Sequence, residues 1–280
     1  MIKTSLFNYR LPKDRIAQSP VRPRDHSRLL VLERVSGTWS HHHFYELEQF
    51  LRSGDLLVVN ESKVFKARLR GQRTTDDGRP PQDIEVFLLR PENDAGNWIA
   101  LAKPGRKLAI GSVISFPDGR ACTVLSKQDN GTIKADFHAP IEEIVAWTDR
   151  VGEIPTPPYV EKPPASSGDY QTVYAKTVGS VAAPTAGFHF TPELIQTLET
   201  RGVNFAAVTL HVGLGTFRPI KTETLEEHEM HEEWADIPEE TAALIARTKS
   251  EGGRIIAVGT TTVRALESGI RHGMTRLFIT

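Results

Sequence analysis

The 280-residue sequence has a single cysteine, no long apolar run and no excess of either charge. Because Cys122 has no second cysteine, an internal disulfide and a cysteine-based metal site are excluded, which favours a reducing compartment. Membrane helices need about 18 to 20 apolar residues, so a multispanning membrane protein is excluded and a cytoplasmic location is expected. The 34 basic and 35 acidic residues argue against a basic coat for nucleic acid over the whole chain.

Changes in the sequence pattern predict two domains. Residues 1–63 and 151–280 mix strand-like and helical segments, such as a buried strand at 56–60 and helices at 45–52, after Thr191 and at 238–251. Between them, short β-rich runs alternate with glycine-containing turns, which indicates an antiparallel barrel or sandwich. These runs lie at 64–73, 84–90, 98–102, 112–116, 121–126 and 132–137. We therefore predict an α/β fold: a discontinuous α/β domain (1–63 and 151–280) with an inserted small antiparallel β-barrel domain (64–150).

The segment that follows the predicted strand 203–212 is a first candidate site, because ligands of α/β sheets bind at the carboxyl ends of the strands. It holds a histidine, two glycines, a threonine and an arginine: His211, Gly213, Gly215, Thr216 and Arg218. The glycines would let the backbone approach a ligand closely, although a tight turn explains them equally well.

The junction at 258–264 is a second candidate site. Thr260 and Thr261 meet the exposed amides of a predicted helix N-terminus, which suits a carboxylate or a phosphate, and Arg264 could complete a bidentate clamp. A threonine-capped helix with a solvated arginine is the structural alternative.

Residues 179–191 form a third candidate, a segment of small residues that could fold closely around a ligand. Pro184, Thr185 and Gly187 are its candidate substrate-binding residues, and His189 is a candidate for proton transfer. A histidine satisfied within the core is the alternative interpretation of His189.

Two further patterns have a structural explanation beside the functional one. His228 and His231 could share a helix face and ligate a metal, but no motif supplies a third ligand. Proton transfer or hydrogen bonding by His231 and Glu233 is therefore the more economical use.

Residues 63–73 carry five basic side chains and no acids, with Lys66, Arg68 and Arg70 on one strand face. This indicates either a solvated face or a phosphate-binding stripe.

Taken together, many short motifs in the same order resemble those of the S-adenosylmethionine:tRNA ribosyltransferase-isomerase family of queuosine biosynthesis. They lie at 6–12, 16–18, 23–30, 54–60, 67–69, 157–159, 170–174, 179–191, 209–219, 230–233 and 258–264. The family continues beyond the Leu-Phe-Ile strand near residue 279, so the chain is either a fragment or a shortened relative.

The resemblance implies transfer and isomerisation of the ribosyl moiety of S-adenosylmethionine onto 7-aminomethyl-7-deazaguanine at the tRNA wobble position. The products would be epoxyqueuosine, adenine and methionine. It implies S-adenosylmethionine as co-substrate, no permanently bound cofactor and no metal, a tRNA partner, no membrane, and a cytoplasmic monomer. It also implies an α/β domain with an inserted β-barrel.

Within the matched motifs we assign hypothetical roles. His189 and His211 are the acid–base candidates, with the order of base and acid left open. Arg264 with Thr260 and Thr261 would hold the methionine carboxylate, and His231 and Glu233 would bind ribose hydroxyls or the amino group.

The remaining hypothetical contacts are those with the nucleic acid. Asn60, Arg68 and Arg218 could contact the modified guanosine or its phosphates. The alternatives to this whole assignment are a noncatalytic RNA-binding relative and a metal-dependent hydrolase that uses His228 and His231.

Overall fold

The computed structural model of the protein describes residues 1–73, 80–93, 95–129, 131–155, 160, 166–213, 215 and 220–279. The chain divides into two compact units, Met1–Lys63 with Pro157–Thr280, and Val64–Thr156. The second unit ends six residues after the predicted end of the inserted domain at 150. That the units are independent domains stays a prediction. Among the described residues, no helix combines the length and the apolar composition that crossing a membrane requires.

The secondary structure is given in chain order. The strands are β1 (Arg28–Leu32), β2 (Trp39–His43), β3 (Leu56–Asn60), β4 (Ser62–Val64), β5 (Arg68–Arg73), β6 (Gln82–Pro91), β7 (Asn97–Lys103), β8 (Val113–Ser115), β9 (Ala121–Lys127), β10 (Ile133–Asp136), β11 (Thr177–Ser180), β12 (Asn204–Leu210), β13 (Glu233–Asp236), β14 (Ile255–Ala257) and β15 (His272–Thr275). The α-helices are α1 (Ile141–Val151), α2 (Pro192–Thr200), α3 (Glu239–Ser250) and α4 (Thr260–Glu267). The helix expected at 45–52 is a 3-10 helix, Phe44–Gln49.

The first unit is organised around a five-stranded sheet in the order β14-β3-β12-β13-β15. The neighbours β14, β3 and β12 are parallel, whereas β13 is antiparallel to β12 and to β15. Strand β3 lies between strands from the far end of the chain, and all five of its residues are buried. This burial on both faces explains its continuous apolar sequence.

Each face of the sheet has its own apolar core, because Leu56 and Val58 of β3 point to one side and Leu57 points to the other. On one side, which we call the α4 side, Ala265 of α4 joins the core. On the other, the α2 side, Leu194 and Leu198 of α2 complete it. Helix α2 begins where the sequence predicts, since Thr191 accepts a hydrogen bond from the Leu194 amide at 3.1 Å.

The second unit contains a closed antiparallel barrel in the strand order β10-β7-β6-β5-β8-β9. Its interior is apolar, because alternate side chains of each strand point inward, for example Val86 and Leu88 of β6 and Val124 of β9. Cys122 is fully buried there, and burial raises the pKa of its thiol to about 12, so it packs as a small apolar group. The predicted α/β fold with an antiparallel barrel is confirmed.

Candidate functional site

Three parallel strands bring candidate residues to one edge of the sheet. Asn60 ends β3, and His211 follows β12. Thr260 begins α4 three residues after the last residue of β14. Because the carboxyl ends of parallel strands lie at the same edge, these groups share the location where α/β sheets bind ligands.

Asn60 is used within this edge rather than toward a ligand. Its Nδ2 donates to the Leu210 carbonyl at 3.0 Å, and its Oδ1 accepts from the Leu210 amide at 3.0 Å and the Ser62 amide at 3.1 Å. The side chain is only 1% exposed. The predicted contact of Asn60 with a modified guanosine is therefore not open in this structure, and Asn60 instead ties the ends of β3 and β12 together.

A buried carboxylate collects several of the predicted residues on the α4 side, and we call this group the Glu233 cluster: Gly213, His231, Glu233 and Arg264. Glu233 Oε1 accepts from the Gly213 amide at 2.7 Å and lies 3.0 Å from His231 Nε2. Glu233 Oε2 accepts from Arg264 Nη1 at 2.5 Å. The Glu233 and Arg264 side chains are 2% and 5% exposed, so the ion pair is buried and hydrogen-bonded.

The two terminal nitrogens of Arg264 are held by protein acceptors, whereas its buried Nε makes no hydrogen bond within the described residues. The clamp on a substrate carboxylate stays a prediction. Arg264 Nη2 donates to the His231 carbonyl at 2.7 Å and to the Thr275 carbonyl at 3.1 Å. Burial lowers the pKa of the guanidinium, and the Glu233 carboxylate counteracts that shift. Arg264 thus links Glu233 to strand β15, and the carboxylate that it binds in this structure is that of Glu233.

The two predicted glycines beside this cluster, Gly213 and Gly215, differ in the space that a side chain would have there. A Cβ on Gly215 would fall 2.0 Å from His231 Nδ1, which no side chain permits. A Cβ on Gly213 would lie 3.7 Å from Glu233 Oε1, an ordinary contact. The close approach of the backbone to the His231 ring therefore requires glycine at 215 but not at 213.

His211 lies on the α2 side. Its ring stacks on Trp234 with 5.1 Å between centroids and 18° between planes. Trp234 alternates with Glu233 and Ala235 along β13, so the His211–Trp234 pair and the Glu233 cluster occupy opposite faces of this strand. A Cβ on Gly179, whose φ is +153°, would meet the His211 ring at 2.5 Å.

The protonation state of His211 follows from its burial. Desolvation lowers its pKa to about 4, so the imidazole is neutral at pH 7. Its Nδ1 is buried and makes no hydrogen bond within the part of the chain that the structure describes. A neutral imidazole with an uncommitted nitrogen can accept or relay a proton.

His189 also lies on the α2 side, where it contacts a residue that the sequence analysis missed. Ser27 Oγ is 2.6 Å from His189 Nδ1, and the Phe44 ring packs at 5.3 Å. Burial lowers the pKa of His189, which favours the neutral ring. Ser27 belongs to the matched motif at 23–30, so that motif was the signal that could have found it.

The loop that precedes His189 touches the start of α4. A Cβ on Gly259, whose φ is +86°, would lie 3.0 Å from the Ala186 side chain. Pro184 and Gly187 are buried in this loop, whereas Thr185 and Thr260 are exposed. Thr261 Oγ1 is buried and has no hydrogen-bond partner among the described residues. The second candidate segment, 258–264, and the third, 179–191, are therefore neighbours.

Thr216 and Arg218 lie outside the described residues. Arg68 belongs to the unit Val64–Thr156, where its Nε lies 3.8 Å from Glu85 and the neighbouring Arg70 forms a bidentate pair with Glu153. Arg68 and Arg70 of the basic stripe thus have carboxylates beside them, and the choice between a solvated face and a phosphate-binding stripe stays a prediction.

The metal hypothesis gains no support. Residues 228–231 form no helix, and His228 packs against Phe278 with 5.2 Å between ring centroids. No three His, Cys, Asp or Glu side chains in the described ranges are grouped to hold an ion.

Neutral imidazoles and a helix N-terminus at the carboxyl edge of an α/β sheet are typical of an enzyme that performs acid–base chemistry on a polar substrate. The chain matches the family model of queuosine biosynthesis proteins over residues 4–280 and belongs to that family, which confirms the resemblance. It is 46% identical over 273 residues, 97% of this chain and 75% of the relative, to the S-adenosylmethionine:tRNA ribosyltransferase-isomerase of Thermosynechococcus vestitus. It is 31% identical to a solved S-adenosylmethionine tRNA ribosyltransferase of Thermotoga maritima, with a TM-score of 0.45, covering 98% of this chain and 77% of that one.

Proposed function

We propose that the protein is a transferase that moves and isomerises the ribosyl moiety of S-adenosylmethionine onto 7-aminomethyl-7-deazaguanine in tRNA, forming epoxyqueuosine and releasing adenine and methionine. The observation that carries the proposal is the 46% identity over 97% of the chain to a relative of that name. The same proposal includes S-adenosylmethionine as co-substrate, a tRNA that carries the modified base at the wobble position, and a cytoplasmic monomer.

The proposed chemistry needs a base near the ribosyl carbon. The sulfonium of S-adenosylmethionine withdraws electrons and acidifies the adjacent C5′ hydrogens, so a neutral imidazole close by can remove one. His211 and His189 are the proposed acid–base pair, because burial lowers the pKa of both rings and keeps them neutral at pH 7. Ser27 supports this role for His189 by fixing the ring through its Nδ1.

Binding of the methionine part is proposed at the start of α4. Exposed amides at a helix N-terminus favour an anion, and the Thr261 hydroxyl, which has no partner within the described part of the chain, adds a donor there. Arg264 acts in this proposal as a positioning residue that holds Glu233. Glu233 in turn fixes the Gly213 backbone and the His231 ring.

The test is turnover with defined substrates. Purified protein is incubated with S-adenosylmethionine and tRNA that carries 7-aminomethyl-7-deazaguanine, and epoxyqueuosine is measured by nucleoside mass spectrometry together with free adenine. We expect His211→Asn to lower the single-turnover rate about 100- to 10,000-fold, the size typical of a lost general acid or base. The matched control His138→Asn, an exposed histidine of the barrel unit, should leave the rate unchanged.

Two results would contradict the proposal. Tight binding of the tRNA by folded wild-type protein without product would favour the noncatalytic RNA-binding alternative. A His211→Asn rate close to the wild-type rate would remove His211 from the acid–base pair.

A further inference from the structure

One face of the β1–β2 hairpin presents rings to solvent, and we call it the ring face. Its rings lie at every second position: Trp39, His41, His43 and, just beyond β2, Tyr45, and all four are exposed. Trp39 is 64% exposed. Because alternate residues of a strand share a face and lie about 7 Å apart, the rings of β2 form an evenly spaced row.

The cross-strand partners on the same face are also exposed. The register pairs Arg28 with His43, Leu30 with His41 and Leu32 with Trp39. Leu30 and Leu32 are 59% and 60% exposed. The rings contact one another, with Trp39 edge-on to His41 at 5.1 Å and His43 stacked on Tyr45 at 5.4 Å and 4°. The face therefore offers flat, apolar surfaces that water covers only at a cost.

The charge on and around this face suits a polyanion. Arg28 and Arg34 are exposed and form no ion pair with any described residue. Two carboxylates lie on or beside the hairpin. Glu46 accepts from the His43 amide at 2.7 Å and lies 3.4 Å from the His42 ring, and Glu33 accepts from the Val35 amide at 3.3 Å. Free arginines beside stackable rings match the composition of surfaces that bind single-stranded nucleic acid.

The hairpin starts and ends at the His189 site. Ser27, the residue before β1, bonds His189, and its carbonyl accepts from the Phe44 amide, the residue after β2, at 2.9 Å. Phe44 itself packs on the His189 ring. The row of rings therefore extends from the proposed reaction site toward the hairpin turn.

We propose that the ring face binds unpaired bases of the RNA substrate that flank the modified nucleotide. Bases stack on Trp39, His41 and His43, while Arg28 and Arg34 contact the phosphates. Stacking tolerates any base, so the surface holds the single-stranded loop without reading its sequence. This inference rests on the proposed function, because that function supplies the RNA partner.

The test measures RNA binding by the 280-residue chain in fluorescence anisotropy. The probes are a fluorescein-labelled RNA stem-loop with a single-stranded loop of seven nucleotides and a blunt duplex of the same stem. We expect Trp39→Leu to weaken stem-loop binding about 5- to 150-fold, the loss typical of one stacked base, and to leave duplex binding unchanged. Trp39→Phe keeps a stacking ring and should bind within about threefold of wild type.

Matched variants keep the outcome clear. Val35→Ser alters an apolar residue that is 97% exposed at the turn of the same hairpin, and it should not change the affinity. The proposed role of the ring face is overturned if Trp39→Leu leaves the stem-loop affinity unchanged. It is also overturned if this variant weakens binding of the stem-loop and of the duplex equally. Both conclusions hold even if wild-type protein forms epoxyqueuosine. Wild-type protein that neither binds the stem-loop nor forms product overturns the proposed function itself.

Discussion

The two faces of β13 carry polar groups of opposite character. On the α4 side, Glu233 meets three donors and Arg264 meets three acceptors, so the charges in the Glu233 cluster have partners. On the α2 side, His211 stacks on Trp234, and its buried Nδ1 has no partner within the described ranges. One face holds a buried ion pair whose carboxylate and terminal guanidinium nitrogens are bonded to protein groups, and the other keeps a titratable nitrogen uncommitted.

This difference separates residues that fix the geometry of the site from residues that can take part in proton transfer. A buried ion pair that is bonded to several protein groups fixes geometry, whereas a neutral imidazole with a free nitrogen can move a proton. Sequence motifs contain both kinds of residue, since Glu233 and His211 lie in matched segments alike. Only their hydrogen-bond partners distinguish them.

Replacing Glu233 is expected to have the largest effect on stability. Glu233→Ala leaves the Arg264 guanidinium buried without its carboxylate, and removal of one partner of a buried pair costs about 3–5 kcal/mol. Urea unfolding followed by circular dichroism measures this loss in the free energy of unfolding. The matched double variant, Glu233→Leu with Arg264→Met, should recover most of it, because no charge then stays buried. A Glu233→Ala protein as stable as wild type would show that the pair is dispensable.

We expect the titration of His211 to make the free energy of unfolding depend on pH. The pKa of His211 is about 4 in the folded protein and about 6.5 in the unfolded chain, so between these values the unfolded chain binds more protons. Stability is therefore lost as the pH falls from about 6.5 to 4, by about 3 kcal/mol for this group.

The measurement is urea unfolding of wild type and His211→Asn at several pH values. The asparagine does not titrate, so the difference in unfolding free energy between the two proteins should shrink by that amount on acidification. Parallel pH profiles for the two proteins would place the pKa of His211 near its ordinary value.

The smallest effect is expected from a pair of glycines beside the Glu233 cluster. Gly215→Ala forces its Cβ against the His231 ring, and overpacking of this kind costs about 1–3 kcal/mol. Gly213→Ala makes only an ordinary contact with Glu233 and is the matched control, with a change expected within about 0.5 kcal/mol. Thermal unfolding of the two variants side by side measures the contrast, and equal stabilities would mean that His231 can move aside.

Much of the fold could be predicted from local patterns. The six barrel strands are short β-rich runs separated by turn residues, and Thr191 with Pro192 marks the start of α2. The segment at 45–52 has the same apolar spacing as an α-helix, but the spacing does not separate an α-helix from the 3-10 helix found at Phe44–Gln49.

The site was predictable in its location but not in its contacts. The carboxyl edge of the parallel strands follows from the strand pattern, and His211 and Thr260 lie there. The partners come from distant parts of the chain, since Ser27 and His189 are 162 residues apart and Glu233 and Arg264 are 31 apart. Such pairings depend on tertiary packing, and no local periodicity encodes them.

The position of β3 between β12 and β14 has a consequence for the order of folding. The barrel is one contiguous stretch, so its strands can pair as soon as the ribosome has released them. Strand β3 is made before the barrel, yet its partners follow about 150 and 200 residues later, and long loops delay such closure. During synthesis the apolar strand Leu56–Asn60 is therefore unpaired while the barrel unit is completed, and an exposed apolar strand of this kind is prone to aggregation.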